Sequence, residues 1–133
     1  MRKYQLASGK VLEFNLAGIE QALEVYRAVL NECKNAGLDL TIADGETVLD
    51  IILKNKEAVL NIFSSKEVMD AVVGCCDKVL YAGNHFSMSL FEEEQAREDF
   101  IGVITIVGVE NLRPFFSSLR LFFDSITGLF LRQ

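Results

Sequence analysis

The first part of the chain changes from alternating apolar and polar positions to a helical spacing. Residues 3–15 hold two short alternating stretches around a Ser-Gly pair at 8–9, and this pattern predicts a β-hairpin. From Ile19 to Cys33, apolar residues recur every three or four positions, which predicts an amphipathic helix. Gly37 lies where such a helix would end.

Shorter helical patterns follow in the middle of the chain. After a connector at 38–45, we expect Asp44 to cap a second helix that runs through Ile52. A third helix is predicted from about Ala58 to Phe63, because apolar residues recur there at helical spacing. We assign these pieces to one helical body.

A fourth helix is predicted after Ser64 and Glu67, which stand three residues apart as in a capping box. Its apolar positions continue to Leu80, and we expect it to end at Gly83. Residues 83–90 then form the best loop candidate in the chain.

The stretch 100–109 fits two kinds of element. Its β-branched residues and its two glycines, Gly102 and Gly108, favour a strand. The acidic residues before it suit the first turn of a helix, and with its flanks it spans about 18 residues, more than a typical strand. We therefore predict a buried helix in which both glycines allow close packing, at a cost of about 1 kcal/mol each relative to alanine.

Large apolar side chains dominate the end of the sequence. Pro114 is the only proline and suits the first turn of a new helix. Two heptad-like rows follow: Phe115, Leu119, Phe122, Ile126 and Leu129 in one, and Phe116, Phe123 and Phe130 in the other. A small domain has a limited core to cover them, so this stripe is a candidate partner-binding or oligomer surface. Completion of the core by the same helix is the alternative.

Composition narrows the class of protein. The chain has 133 residues, of which 50% are apolar, and this predicts one folded domain. The net charge of −6 argues against a nucleic-acid binder, since phosphate contacts need clustered cations. No stretch has the roughly 18–20 apolar residues of a membrane span, and the first residues turn polar too early for a signal peptide. We expect a cytosolic protein.

Few residues carry obvious chemistry. His85 is the only histidine, and we expect it to be an ordinary loop residue. We expect Cys33, Cys75 and Cys76 to be small buried side chains on helices; a reactive or metal-bound thiol is the alternative. Neither a phosphate-binding glycine pattern nor a zinc or calcium motif occurs, so no catalytic residue, cofactor or metal is predicted.

An acidic run at 92–94 is continued by Glu98 and Asp99. Carboxylates at the start of a helix interact favourably with the positive end of the helix dipole, so a solvated first turn is the simpler interpretation of the run. Electrostatic contact with a basic partner is the other one.

Four segments carry a resemblance that covers nearly the whole chain. They are KYQLASGKVLEF at 3–14, ALEVYRAVLNECKNAGLDL at 22–40, the run from SSKEVMDAVVGCCDKVLY through YAGNHFSMSLFEEEQAREDF at 64–100, and NLRPFFSSLRLFFDSI at 111–126. In this order they resemble the opening hairpin, first helix, middle region and C-terminal segment of the tail assembly chaperones of long-tailed (siphophage-type) phages and prophages. The chain resembles their shorter, non-frameshifted form.

The resemblance implies a non-catalytic protein of the host cytoplasm that is absent from the mature virion. Such chaperones bind the tape-measure protein, keep its apolar helices soluble and help to recruit the major tail protein, in many phages through a longer frameshifted form. Self-association into a homo-oligomer is also expected, since the family wraps a long partner in many copies. We assign partner binding to six residues of the stripe: Phe115, Phe116, Leu119, Phe122, Phe123 and Ile126.

Three other functions remain open. The first is an acidic helical adaptor or inhibitor of another system. The second is an enzyme built around His85, Cys75 and the carboxylates at 92–94. The third is a structural tail or capsid component that stays in the virion.

The expected fold is α+β and mostly α, with an N-terminal β-hairpin followed by a bundle of about five or six helices. We divide the single domain into a hairpin at 1–16, a helical body at 17–112 and an aromatic C-terminal helix at 113–133.

Overall fold

In the described chain, two antiparallel strand pairs are separated by helices and followed by further helices, in agreement with the expected α+β, mostly α fold. The computed structural model describes residues 1–35, 56–116 and 120–132. Its strands are β1 (Arg2–Gln5), β2 (Val11–Phe14), β3 (Val79–Tyr81) and β4 (Asn84–His85). Its α-helices are α1 (Ile19–Asn35), α2 (Lys56–Phe63), α3 (Lys66–Val73), α4 (Glu94–Leu112) and α5 (Arg120–Gly128).

The predicted hairpin is the first half of a four-stranded sheet. β1 pairs with β2, and the turn between them contains Gly9 at a φ of 92°, where a residue with a side chain would be strained. The sheet continues with β3 beside β2 and β4 beside β3, in the order β1-β2-β3-β4. The body at 17–112 is therefore not purely helical.

The helix predicted through Leu80 is shorter than expected. It ends as α3 at Val73, and Gly74 follows as its C-cap. The cysteine pair at 75–76 consequently lies in the turn after the helix and not in mid-helix. The helix start is also displaced by one residue, because the side chain of Ser65, not Ser64, accepts the capping hydrogen bond at 3.3 Å.

The second hairpin occupies the place of the missing helical turns. Val79 and Tyr81 are buried, whereas Leu80 between them is half-buried, which is the period-two pattern of a strand. Ala82 and Gly83 have φ values of 52° and 83°, so they form a two-residue turn of the type I′ kind. The sequence does not predict this turn, because Ala-Gly lacks the asparagine or aspartate that usually marks it. His85 is thus an exposed strand residue, although we expected a loop.

α4 is the buried helix predicted over 100–109. Every residue from 102 to 112 is buried, because the helix is packed on several sides. Both glycines allow close packing as expected. A Cβ on Gly108 would lie 2.8 Å from a ring carbon of Phe63 and 3.0 Å from a methyl group of Val72.

The C-terminal segment is a short helix with a returning tail, and not one helix over 113–133. Pro114 lies in a 3₁₀ helix, Arg113–Phe115, that follows α4 directly. α5 ends at Gly128, and beyond it Leu131 forms a β-bridge with Leu6. The tail leaves the helix because the edge of β1 offers backbone hydrogen bonds that a continuing helix could not make.

One hydrophobic core joins the sheet to the helices. Its fully buried members include Leu12, Phe14 and Val79 from the sheet and Val25, Val72 and Ile106 from the helices. The connector at 38–45, the predicted helix through Ile52 and the expected stop at Gly37 lie outside the described residues.

Candidate partner-binding surface

Three aromatic side chains form a half-buried cluster where α1 meets the start of the C-terminal segment. The ring centroid of Tyr26 lies 5.1 Å from that of Phe115 and 5.6 Å from that of Phe116. All three side chains keep part of their surface in solvent. We call Tyr26, Phe115 and Phe116 the aromatic cluster. Rings held in this way offer apolar contact area with little rotamer freedom left to lose.

The six predicted partner-binding residues differ in their accessibility in the structure. Phe115 and Phe116 belong to the aromatic cluster and are accessible. Phe123 and Ile126 are only 4% and 5% exposed, so in this conformation they complete the core and no partner can reach them. Leu119 and the side chain of Phe122 lie outside what the structure describes.

The aromatic cluster is continuous with the core. The ring of Phe116 lies 6.1 Å from that of Phe123, between centroids, and the guanidinium carbon of Arg113 lies 5.8 Å from the Phe123 ring centroid. This geometry places a cation next to the buried end of the stripe. A partner that contacts Phe116 therefore touches the outer layer of the packing that holds α5.

A buried carboxylate fixes Arg113 in this position. Glu110 is 3% exposed and accepts hydrogen bonds from Arg113 at 2.9 and 3.0 Å and from Arg2 at 3.2 Å. Arg113 also donates to Asp124 on α5 at 2.8 Å. Burial alone would lower the pKa of Arg113, but the hydrogen bonds and charges of Glu110 and Asp124 outweigh it, and the pKa is raised. Arg113 thus remains a cation that links α4 to α5.

A second buried carboxylate lies where the sequence predicted a solvated one. Asp99 is 7% exposed, and its Oδ2 accepts hydrogen bonds from the Tyr81 hydroxyl at 2.5 Å and from Ser8 Oγ at 2.7 Å. Burial, followed by the hydrogen bond and charge of Asp99, raises the pKa of Tyr81. The phenol therefore stays protonated and acts as a donor. No local pattern could reveal this, because the partners of Asp99 are far away in the sequence.

The rest of the acidic run agrees with a solvated helix start. Glu92, Glu93 and Glu94 are exposed, and Glu94 lies in the first turn of α4. Arg97 pairs with Glu92 at 3.4 Å between Nη2 and Oε2. These exposed carboxylates are accessible to a basic partner.

The three cysteines are buried free thiols, as expected. Burial, with smaller effects from neighbouring acidic groups, raises the pKa of Cys33 and of Cys75 to about 11. Burial also raises the pKa of Cys76 to about 12. A thiol of this kind is protonated at neutral pH and is a poor nucleophile. Cys75 is buried, whereas His85 is exposed on β4.

An open groove of about 600 Å³ lies between α1 and α3. Small residues lie along it, namely Ala28, Ala71 and Gly74. Its ionisable residues are Glu24, Arg27, Glu67 and Asp70. Arg27 pairs with Glu24 at 3.0 Å, so the groove keeps an excess of negative charge.

Across residues 1–35, 56–116 and 120–132, no group of three His, Cys, Asp or Glu side chains is arranged to hold a metal ion. No helix in those ranges has the length and apolar character needed to cross a membrane. The chain matches no family model, and neither a curated protein nor a solved structure matches it. The resemblance to tail assembly chaperones thus depends on the sequence segments quoted above.

Proposed function

We propose that this chain is a non-catalytic tail assembly chaperone of a long-tailed phage or prophage. It binds the tape-measure protein, keeps that protein soluble and helps to recruit the major tail protein during tail assembly. The observation that carries the proposal is the aromatic cluster, because Phe115 and Phe116 present apolar rings to solvent on a surface supported by Tyr26.

A surface of this kind can bind the apolar side of a helical partner. A long helical partner has an apolar seam that must be covered in water, and a cluster of exposed rings can pack against it. The rings of the aromatic cluster lose little conformational entropy on binding because they already contact one another at 5.1 and 5.6 Å between centroids. Coverage of an exposed seam keeps the partner from aggregating.

The order of elements is consistent with the same proposal. A hairpin, a long amphipathic helix, a middle region and an aromatic C-terminal segment follow one another in the described chain. The segments KYQLASGKVLEF and ALEVYRAVLNECKNAGLDL, which carry the resemblance at the N-terminus, include most of β1, all of β2 and most of α1.

Three further properties belong to this proposal. The chain acts in the host cytoplasm and leaves before the virion matures. Several copies associate on one tape-measure protein. A longer frameshifted form, where it is made, provides the contact with the major tail protein.

The groove between α1 and α3 favours a second candidate function. Glu24, Glu67 and Asp70 outnumber Arg27 among its ionisable residues, which suits a basic segment of a partner. An acidic adaptor or inhibitor of another system would use this face instead of the aromatic cluster.

The gene neighbourhood provides the first test. We expect a very long reading frame with helical periodicity downstream of this gene, and a slippery run of repeated nucleotides near its 3′ end. Unrelated metabolic genes on both sides would contradict the chaperone proposal. A tape-measure gene without a slippery run would remove only the longer form.

Co-expression with a tape-measure segment tests the surface itself. The segment should stay in the soluble fraction with the wild-type chain and precipitate with a variant that combines Phe115→Ser and Phe116→Ser. Phe86→Ser is the matched control, because Phe86 is also half-buried but packs against Phe91, away from the aromatic cluster. Circular dichroism establishes that each variant is folded. A folded double variant that still keeps the segment soluble would exclude the aromatic cluster as the site.

A further inference from the structure

A notch in α4 is filled by an aromatic ring from the tail of the chain. Gly102 is buried, and a Cβ placed on it would lie 3.0 to 3.2 Å from the side chain of Phe130. The phenyl ring therefore packs on bare helix backbone, which only glycine permits at this distance. We call this contact the Gly102 notch and residues 120–132 the strap.

An exposed apolar residue precedes each partner of this contact in the sequence. Ile101 precedes Gly102 on α4 and is 37% exposed, and Leu129 precedes Phe130 on the strap and is 51% exposed. Large apolar side chains exposed next to a covered apolar contact are typical of a surface that packs against another molecule. Apolar surface thus remains exposed at the chain positions next to both partners of the contact.

The polar contacts of the strap lie at the protein surface. The N–H of Ala7 donates to the carbonyl of Phe130, and the N–H of Arg132 donates to the carbonyl of Gln5, both at 3.0 Å. Ala7, Gln5 and Arg132 are exposed, and so is Asp124, which pairs with Arg113. Water can replace hydrogen bonds of this kind when the strap leaves.

Inside the strap, one polar group favours release. The hydroxyl of Thr127 is buried and has no hydrogen-bond partner in the described part of the chain. A buried hydroxyl without a partner regains its hydrogen bonds on return to water. The apolar side chains oppose release, because Phe123 and Ile126 of the strap are themselves buried in the core. A partner can therefore displace the strap only if it covers the core with an apolar area comparable to that of the strap.

We infer that the strap is an autoinhibitory cover, and that a partner helix displaces it by placing an aromatic side chain in the Gly102 notch. Phe130 is the template for this occupant, because the notch already holds its ring against α4. The inference rests on the proposed function, since the partner is the apolar seam of the tape-measure protein. It also accounts for the burial of Phe123 and Ile126, which become accessible after displacement.

A reversible disulfide at the end of the strap tests the displacement. Leu6 and Leu131 form a pair whose flanking positions carry the hydrogen bonds, so they are a non-hydrogen-bonded antiparallel pair. Their Cα atoms are expected about 4.5 Å apart, within the range that a disulfide spans. The combined variant Leu6→Cys and Leu131→Cys is locked when oxidised and free when reduced. The natural thiols are buried, so they compete poorly for the new bond.

The probe is the tape-measure segment used in the co-expression test. We expect the oxidised variant to bind it at least tenfold more weakly than the same protein after reduction. Hydrogen exchange at the amides of Ala7 and Arg132 should also accelerate when the segment binds to wild-type protein. Equal binding by the oxidised and reduced forms, or unchanged hydrogen exchange at these amides on binding, would overturn the inference that the strap is a cover. Either result would leave the proposed function intact. Absence of binding by the wild-type chain would overturn both.

Phe130→Ala provides an independent measurement if the cysteine variant does not fold. The substitution empties the Gly102 notch without altering it, so the partner should bind several-fold more tightly than it binds wild type. Phe86→Ala, which removes a phenyl ring from the cluster around Phe91, should leave the affinity unchanged. Weaker binding by a folded Phe130→Ala variant would show that Phe130 contacts the partner directly and would overturn the inference.

Discussion

The hydroxyl of Tyr81 donates a hydrogen bond of 2.5 Å to Oδ2 of Asp99, and this contact joins β3 to α4. Ser8, in the turn of the first hairpin, donates to the same oxygen at 2.7 Å. A single buried carboxylate therefore holds both hairpins against the central helix. Because a charged acceptor strengthens each bond, this cluster is a main polar link between the sheet and the helices.

Tyr81→Phe should destabilise the fold. The substitution removes one of the two donors to a carboxylate that is 7% exposed, and hydrogen bonds to charged groups are worth about 1.5–3 kcal/mol. Urea unfolding should show a lower midpoint with an unchanged m-value. Tyr26→Phe is the control, because the Tyr26 hydroxyl has no hydrogen bond among the described residues, and it should change the midpoint little. Equal effects of both substitutions would show that the Asp99 contact contributes nothing specific.

Stability should fall at alkaline pH. The pKa of Cys76 is raised by burial to about 12 from an ordinary value of 9.0, and burial with the charge of Glu110 raises the pKa of Tyr4 to about 12 from 10.0. The unfolded chain therefore loses these protons at lower pH than the folded protein. The contribution of the two groups to the free energy of unfolding is fully present below pH 9 and is lost progressively as the pH rises towards 12. Urea unfolding at intervals from pH 7 to 11 measures the decline.

The variant Cys76→Ala isolates one of these protons. Its free energy of unfolding should decline with pH less steeply than that of wild type, by at most about 1.4 kcal/mol per pH unit. Parallel curves for variant and wild type would mean that the Cys76 thiol does not contribute to the alkaline transition.

Gly108→Ala should destabilise the protein in spite of the better helix propensity of alanine. The new methyl group would lie 2.8 Å from Phe63 and 3.0 Å from Val72, both in the core, and overpacking of this kind costs about 1–3 kcal/mol. Gly128→Ala is the matched control, because nothing lies within 4 Å of its added Cβ. It should be neutral or stabilising by up to about 1 kcal/mol. Thermal unfolding of both variants measures the two effects. A higher midpoint for Gly108→Ala would contradict the close approach of Phe63 and Val72 to α4.

Glu110→Gln tests the buried ion pairs. The variant leaves Arg113 without its main carboxylate partner, and we expect a loss of roughly 1–3 kcal/mol, less than for a fully buried pair because both arginines reach solvent. Glu24→Gln breaks the exposed pair with Arg27 and should change stability by less than about 0.5 kcal/mol. Chemical denaturation compares the two. Similar small effects would mean that the Glu110 network is energetically neutral.

Periodicity was sufficient to predict the elements whose apolar positions repeat over several turns. The hairpin around Gly9 and α1 follow their predicted patterns, whereas α4 was predicted from the length of its apolar stretch and the acidic residues before it. It failed around Leu80, where residues with helical spacing belong to a strand. Leu80 lies in a strand because Ala82 and Gly83 adopt positive φ values and because β3 pairs with β2. The local sequence pattern indicates neither of these two features.

The candidate site was predictable only in part for a similar physical reason. The sequence indicated that the C-terminal stripe was unusually apolar, but it could not separate the rings that face solvent from those that fill the core. Phe116 is half-buried, whereas Phe123, seven residues later, is covered by tertiary packing. The Gly102 notch requires Phe130 to return across α4, and this depends on where the tail bends after Gly128.

The bridge between Leu6 and Leu131 has a consequence for synthesis on the ribosome. Leu6, directly after β1, leaves the exit tunnel more than a hundred residues before Leu131, its outer neighbour. Until then the nascent hairpin has an open edge that can pair with another nascent chain. When residues 130–132 leave the tunnel, they cover the end of that edge at Gln5, Leu6 and Ala7 and so shorten the stretch with which another nascent chain on the same message can pair.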